Sequence, residues 1–296
     1  MSAFPIFGPS SAETSTVKEA YRHCARITRR SGSSFLAAFW MFPPEQRQAM
    51  HAIYAFCRLA DDIADDPETA GDRGALLSRW RAELVDAYLG KSSHPVVIAL
   101  GDAVHRYKLP QEWFDSLLDG IEFDLAEEPI ERFEDLERYC YRVASTIGLL
   151  VVGVRGVRGP AIDAYATQMG IAVQLTNVLR DVGDDARDGR IYLAREDLER
   201  FGVDPASILE RRHSDALREL MAAYAERARI RYERAASQLP PELLRRLRPA
   251  QAMGAIYREL LDTIQARGFP CFEGPVRQSK RRRIAIAGSV WVGLGR

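Results

Sequence analysis

A chain of 296 residues with 47% hydrophobic content is long enough to bury a sizeable core, in one large domain or two smaller ones. Its 41 Lys and Arg balance 41 Asp and Glu, so it offers no general electrostatic case for nucleic acid, and any charge argument must be local. Cys24, Cys57, Cys140 and Cys271 form no CxxC, and the five histidines are scattered, which speaks against a disulfide framework and against a zinc site.

The N-terminus, MSAFPIFGPSSAETS, lacks the basic and apolar regions of a secretory signal, and residues 1–16 are set apart as a flexible tail. Helical periodicity then runs through 14–30, 44–65, 74–89, 95–107, 111–125, 133–152, 161–186, 213–238 and 241–266. Breakers separate these segments: Pro43-Pro44, Gly71, His94-Pro95, Pro110, Gly159-Pro160, Pro205 and Pro240-Pro241. No alternating strand of useful length interrupts them. The longest apolar run, near Leu149–Val154, falls far short of the ~20 residues of a membrane span. The expectation is an all-α chain with a single domain over 17–296, in the cytoplasm.

The segment YAFCRLADDIADD (54–66) closes the second long helix with a crowd of acids, which repel and raise one another's pKa. On a helix, Tyr54, Arg58, Asp61 and Asp65 share one polar stripe, beside an apolar stripe of Ile53, Phe56, Ala60 and Ile63. A second stripe runs through GIAVQLTNVLRDVGDDARDGRIYL (170–193), where Gln174, Asn177, Asp181 and Asp185 are spaced 3, 4 and 4. One acidic i, i+4 pair is most often a solvated helix face. Two such pairs, each with polar neighbours and an apolar flank, would supply four carboxylates if they shared one space. Carboxylates suit hard cations such as Mg²⁺, which share their ligands with substrate phosphates and help diphosphate leave. An EF-hand reading fails, because Ala186 and Arg195 stand where the loop needs acids.

Two weaker features remain. Asp115, Asp119 and Glu122 read as a solvated face. The C-terminal KRRRIAIAGSVWVGLGR joins a basic cluster to an apolar stretch, and reads either as a segment lying on an anionic membrane surface or as a last helix packed on the domain.

The two aspartate-rich segments resemble the signatures of the squalene/phytoene synthase family. The resemblance extends to SGSSF (31–35), YCYRVASTIG (139–148) and IYRELLD (256–262), and so covers nearly all of the chain after about residue 17. A lone DDxxD is shared with head-to-tail prenyl synthases and terpene cyclases; NVLRDVGDD separates this family from them. The resemblance implies an isoprenoid-synthase helical bundle around a central apolar cavity, and head-to-head joining of two identical prenyl diphosphates.

By this resemblance Asp61 and Asp65 match the first Mg²⁺-diphosphate motif, with Asp62 between them, and Asn177, Asp181 and Asp185 match the second. Together they imply two or three Mg²⁺ ions, and the four aspartates with Tyr54 and Tyr139 are the catalytic candidates. Ser34, Arg58 and Arg180 match diphosphate-holding positions. Tyr54, Tyr139, Gln174, Tyr192 and Tyr257 match polar positions around the reacting centre, and Val143, Ile147 and Gly148 match the wall along which the chains lie. Ala194 departs from the family, which usually has proline there; the effect expected is on loop rigidity.

The residue types fit the chemistry. Loss of diphosphate gives an allylic cation, which the double bond of a second molecule attacks to give a cyclopropane after proton loss. Such a site needs a dry apolar channel, and forked guanidinium groups such as Arg58 and Arg180 to clamp phosphate oxygens. Either arginine can instead pair with its neighbouring aspartates. The overall run, including HPVVIAL, LPQEWFDSLLDGIEFDL and QARGF, is most similar to the bacterial presqualene diphosphate/squalene synthases of the family, a resemblance that implies farnesyl diphosphate as substrate, giving presqualene diphosphate or squalene; geranylgeranyl diphosphate, giving phytoene, is the alternative. NADPH use is left open, since no GxGxxG occurs but this family need not carry one. A reading of another class, a catalytically silent prenyl-diphosphate binder, would be supported by loss of one aspartate pair, and both pairs are intact.

Overall fold

A computed structural model describes residues 16–31, 36–65 and 71–293, with Ala37 and Asp65 described by backbone alone. The expected tail therefore lies outside the described residues, except for Thr16. Every regular element among the described residues is helical. Contacts gather them into two compact units. The first runs up to Ala126 and takes in Leu150–Arg158; the second holds Glu127–Leu149 and everything from Gly159 onward.

In the first unit the helices are α1 (Val17–Arg30), α2 (Leu36–Phe39), α3 (Pro44–Asp65), α4 (Arg73–Leu89), α5 (Pro95–Tyr107) and α6 (Gln111–Ala126). α1 starts later than its periodicity implies because Thr16 and Glu19 form a capping box, each accepting the other's backbone N–H. α1 and α3 pack on each other and on α5, and α4 bridges α5 and α6. The core is aromatic where α3, α4 and α6 meet: Phe56 stacks on Trp80 at 5.0 Å and meets Phe114 edge-on at 5.8 Å. The Trp80 indole N–H donates to the Phe56 carbonyl at 3.2 Å, so this buried ring leaves no polar atom unsatisfied. The acidic row of α6 is not simply solvated. Arg81 of α4 reaches across to it, pairing with Asp119 at 2.8 Å, Glu122 at 3.3 Å and Asp115 at 3.7 Å.

The periodic segment 133–152 is not one uniform helix. It forms α7 (Phe133–Cys140), a π-helical turn over Tyr141–Ser145, and α8 (Thr146–Val154), within which the boundary between the units falls. The extra residue shows in the Thr146 N–H, which bonds the Tyr141 carbonyl five residues back.

The second unit continues with α9 (Pro160–Arg187), α10 (Arg195–Phe201), α11 (Pro205–Leu209), α12 (Asp215–Gln238), a 3₁₀ turn at Pro241–Leu243, α13 (Arg248–Ala266) and α14 (Lys280–Val292). Periodicity missed α10 and α11, which are too short to show it, and ran α13 back through the 3₁₀ turn. The broadest contact in this unit is α9 on α12, where the buried Thr176 and Tyr232 hydroxyls lie 3.1 Å apart. α13 packs on both α9 and α14.

Candidate functional site

The first acidic stripe lies in the last three turns of α3. Tyr54 donates its hydroxyl to Ser31 Oγ at 2.9 Å and sets its ring edge-on to Phe39. Arg58 pairs with Asp62, one turn on, at 2.5 Å, so the carboxylate that the spacing set aside is the one this guanidinium holds. Asp61 is exposed and lies near the buried Cys57, whose thiol is pushed up by burial and then by the Asp61 charge. Ser34 lies outside the described residues, and Asp65 is placed as the last residue of α3 without its side chain.

The second stripe lies on α9, in the other unit. Asn177 donates its amide N–H to Gln174 Oε1 at 3.1 Å, while its own Oδ1 is buried with no hydrogen-bond donor. One turn on, the Arg180 Nε–H donates to Asp181 Oδ1 at 2.7 Å and Nη2 bonds the second oxygen, a fork on the neighbouring residue. Burial opposes the Arg180 charge, but Asp181, with Tyr257 beside it, more than offsets this and holds the guanidinium above its ordinary pKa. Asp185, half-buried, is pushed up to about 8, first by burial and then by the charge of Asp181; Arg190 pulls the other way.

Local backbone geometry explains how Arg190 comes to act on Asp185. α9 ends in a Schellman motif. The Arg190 N–H bonds the Asp185 carbonyl at 2.8 Å and the Gly189 N–H bonds the Ala186 carbonyl at 3.2 Å. Gly189 sits at φ +77°, a conformation only glycine adopts without strain, and it folds the chain back over the acidic turn. The spacing argument missed Arg190. Its signal was the DGR following the helix, a C-cap glycine with a cation one residue beyond.

These α9 residues fit a hard cation. Asn177 Oδ1, Asp181 and Asp185 offer oxygen ligands at i, i+4 and i+8, the first an orphaned buried oxygen and the last a carboxyl whose charge burial and the neighbouring Asp181 disfavour until a cation offsets it. Among the described residues no three Asp, Glu, His or Cys side chains gather closely enough to hold a metal ion between them. The amide oxygen of Asn177 therefore matters to the α9 set.

Around this stripe the second unit is aromatic and apolar. Tyr139 stacks on Tyr192 at 5.2 Å, and Tyr139 and Tyr257 are buried. A small recess beside Asp185 is lined by Val178, Val182, Ile191, Tyr192, Leu193 and Ile208, with Arg190. Val143 lies inside the π-helical turn, and Ile147 and Gly148 just beyond it; all three are half-buried. The turn is pressed against α9 at Gly170, where an added Cβ would fall 2.3 Å from Ser145 Cα.

At Ala194 the departure from proline has a visible use. Its backbone N–H, which proline lacks, donates to the Tyr224 hydroxyl at 2.9 Å. That hydroxyl donates to the buried Asp197 at 3.0 Å, and Asp197 accepts both arms of Arg227 at 2.5 and 3.0 Å. This network ties the loop carrying Arg190 and Tyr192 to α12.

The family model for squalene/phytoene synthase matches residues 28–284. A 15-cis-phytoene synthase from Synechococcus elongatus is 35% identical over 276 residues, covering 89% of each chain. The chloroplastic phytoene synthase 3 of Zea mays is 35% identical over 263 residues, and the chain spans 62% of its length. Among solved structures, a dehydrosqualene synthase in complex with ligand superposes with a TM-score of 0.82 at 30% identity, covering 94% of this chain and 97% of that one.

Proposed function

The chain belongs to the squalene/phytoene synthase family, and from that premise we propose that it joins two prenyl diphosphates head to head through a cyclopropyl intermediate, with release of diphosphate. The observation that carries this reading is the α9 stripe, an orphaned amide oxygen followed by two carboxylates, one of them held by a guanidinium fork and the other strained by burial. In this reading Asn177, Asp181 and Asp185 on α9 would hold Mg²⁺, as would Asp61 and Asp65 on α3. When bound, Mg²⁺ neutralises the diphosphate and makes it a better leaving group.

The chain's own residues do the rest. Arg180 is poised to trade Asp181 for phosphate oxygens, because a carboxylate and a phosphate each present two oxygens to the same fork. Arg58 can make the same exchange from Asp62. Tyr139, Tyr192 and Tyr257 border the reacting carbons with rings whose faces suit an allylic cation without offering a strong nucleophile. Val143, Ile147 and Gly148 offer the prenyl chains an apolar wall that excludes water.

We assign farnesyl diphosphate as the preferred substrate. The support is the sequence likeness described above and the match, along nearly the whole chain, to a dehydrosqualene synthase. A second reading, with geranylgeranyl diphosphate, is favoured by the 35% identity to phytoene synthases. The test is incubation with Mg²⁺ and each diphosphate, with and without NADPH, followed by mass analysis of the product. A C30 product from farnesyl diphosphate is expected. A C40 product alone would replace the C15 assignment, and no turnover of either would overturn the enzymatic reading in favour of a silent binder.

A further inference from the structure

No helix among the described residues is long and apolar enough to cross a membrane. α14 nevertheless presents an unusual surface. Its inward face, Ile286, Ala287 and Val290, is buried, and the helix packs on α13. Its outward face, at helical spacing, is Arg281, Ile284, Ala285, Gly288, Trp291 and Val292. On that face Ile284 is 55% exposed, Trp291 51% and Val292 65%. A surface helix ordinarily turns polar residues outward; this one is apolar on both sides after its first turn.

Charge surrounds the apolar face. From Gly274 to the end of the chain there is no acid and there are six arginines and lysines, although the whole chain is neutral. Lys280 and Arg281 are exposed and make no ion pair among the described residues, whereas Arg282 is engaged by Glu259 at 2.7 Å. At the far end Arg248 of α13 lies over the Trp291 ring at 5.6 Å, adding a cation beside the aromatic. Cations at both ends of an apolar face with an outward tryptophan match a helix lying in the headgroup layer of an anionic bilayer.

We propose that the outward face of α14 is a docking surface for anionic membrane lipid. Ile284, Trp291 and Val292 enter the acyl boundary, and Lys280 and Arg281 meet lipid phosphates. The packed-helix and membrane-surface readings of this segment are then two faces of one element, and this inference stands apart from the choice of substrate.

The test is sedimentation of the full chain with vesicles of phosphatidylcholine alone and of phosphatidylcholine mixed with phosphatidylglycerol. Binding to the mixed vesicles, weak binding to the neutral ones, and loss at raised salt are expected. Lys280→Glu and Arg281→Glu should each weaken binding at least fivefold or so, and Ile284→Asp should abolish it. Since these side chains are exposed, circular dichroism should show the variants folded. Equal binding to neutral vesicles, no binding to either, or binding indifferent to Ile284→Asp would overturn the proposal. So would concentration-dependent self-association without lipid that Ile284→Asp abolishes, which would assign the face to a second copy of the chain.

Discussion

Asp61→Ala and Asp181→Ala are each expected to lower turnover by about 10²–10³-fold or more while leaving the circular dichroism of the chain unchanged. Asp61 is exposed and Asp181 half-buried, so neither removal opens a core cavity, and steady-state kinetics on folded protein would check both. The buried network behind the Tyr192 loop behaves differently. Asp197 is 2% exposed and depends on Arg227 for charge balance, so Arg227→Ala should cost roughly 3–5 kcal/mol in a urea titration. Asp197→Asn should cost less, because it removes the charge that needs compensation. Ala194 shows where sequence reading stops at this scale. Its position suggested only a softer loop; that its N–H is bonded depends on a tyrosine thirty residues away.

At the scale of helices, period-three-and-four spacing made the stripes of α3 and α9 legible, because every side chain in them is placed by one continuous helix. The π-helical turn was not legible, since a bond to the fifth residue leaves no residue signature and the YRVAS segment keeps ordinary helix formers. What marks the turn is the glycine opposite it. Gly170→Ala would drive a methyl group into the Ser145 backbone, at 2.3 Å from Cα, and should destabilise by about 1–3 kcal/mol or more. Gly288→Ala on α14, where nothing lies within 4 Å of the added carbon, is the matched control and should be neutral or stabilising. Thermal melts of the two variants would separate a packing requirement from mere helix propensity.

Across the whole molecule the zero net charge conceals a half-buried group with a clear pH signature. His51 on α3 is held down to about 4, first by burial and then by Arg29 and Arg47. It is neutral in the folded chain and takes up a proton near 6.5 once unfolded. Its contribution to stability is therefore present above about 6.5 and is lost as pH falls towards 4. Urea midpoints across this window should fall more steeply for the natural chain than for His51→Leu; parallel curves would assign the loss to other groups. The division into two units was not readable from breakers alone: one boundary coincides with Gly159-Pro160, but another falls inside α8. The first unit includes Leu150, Val151, Val152 and Val154, all buried, and Arg158, which lies 4.7 Å over the Trp113 ring. A nascent chain that has only reached Ala126 thus lacks part of that unit's core. On the ribosome, the first unit can close only after the opening helices of the second have been made, so translation order and folding order interleave in this protein.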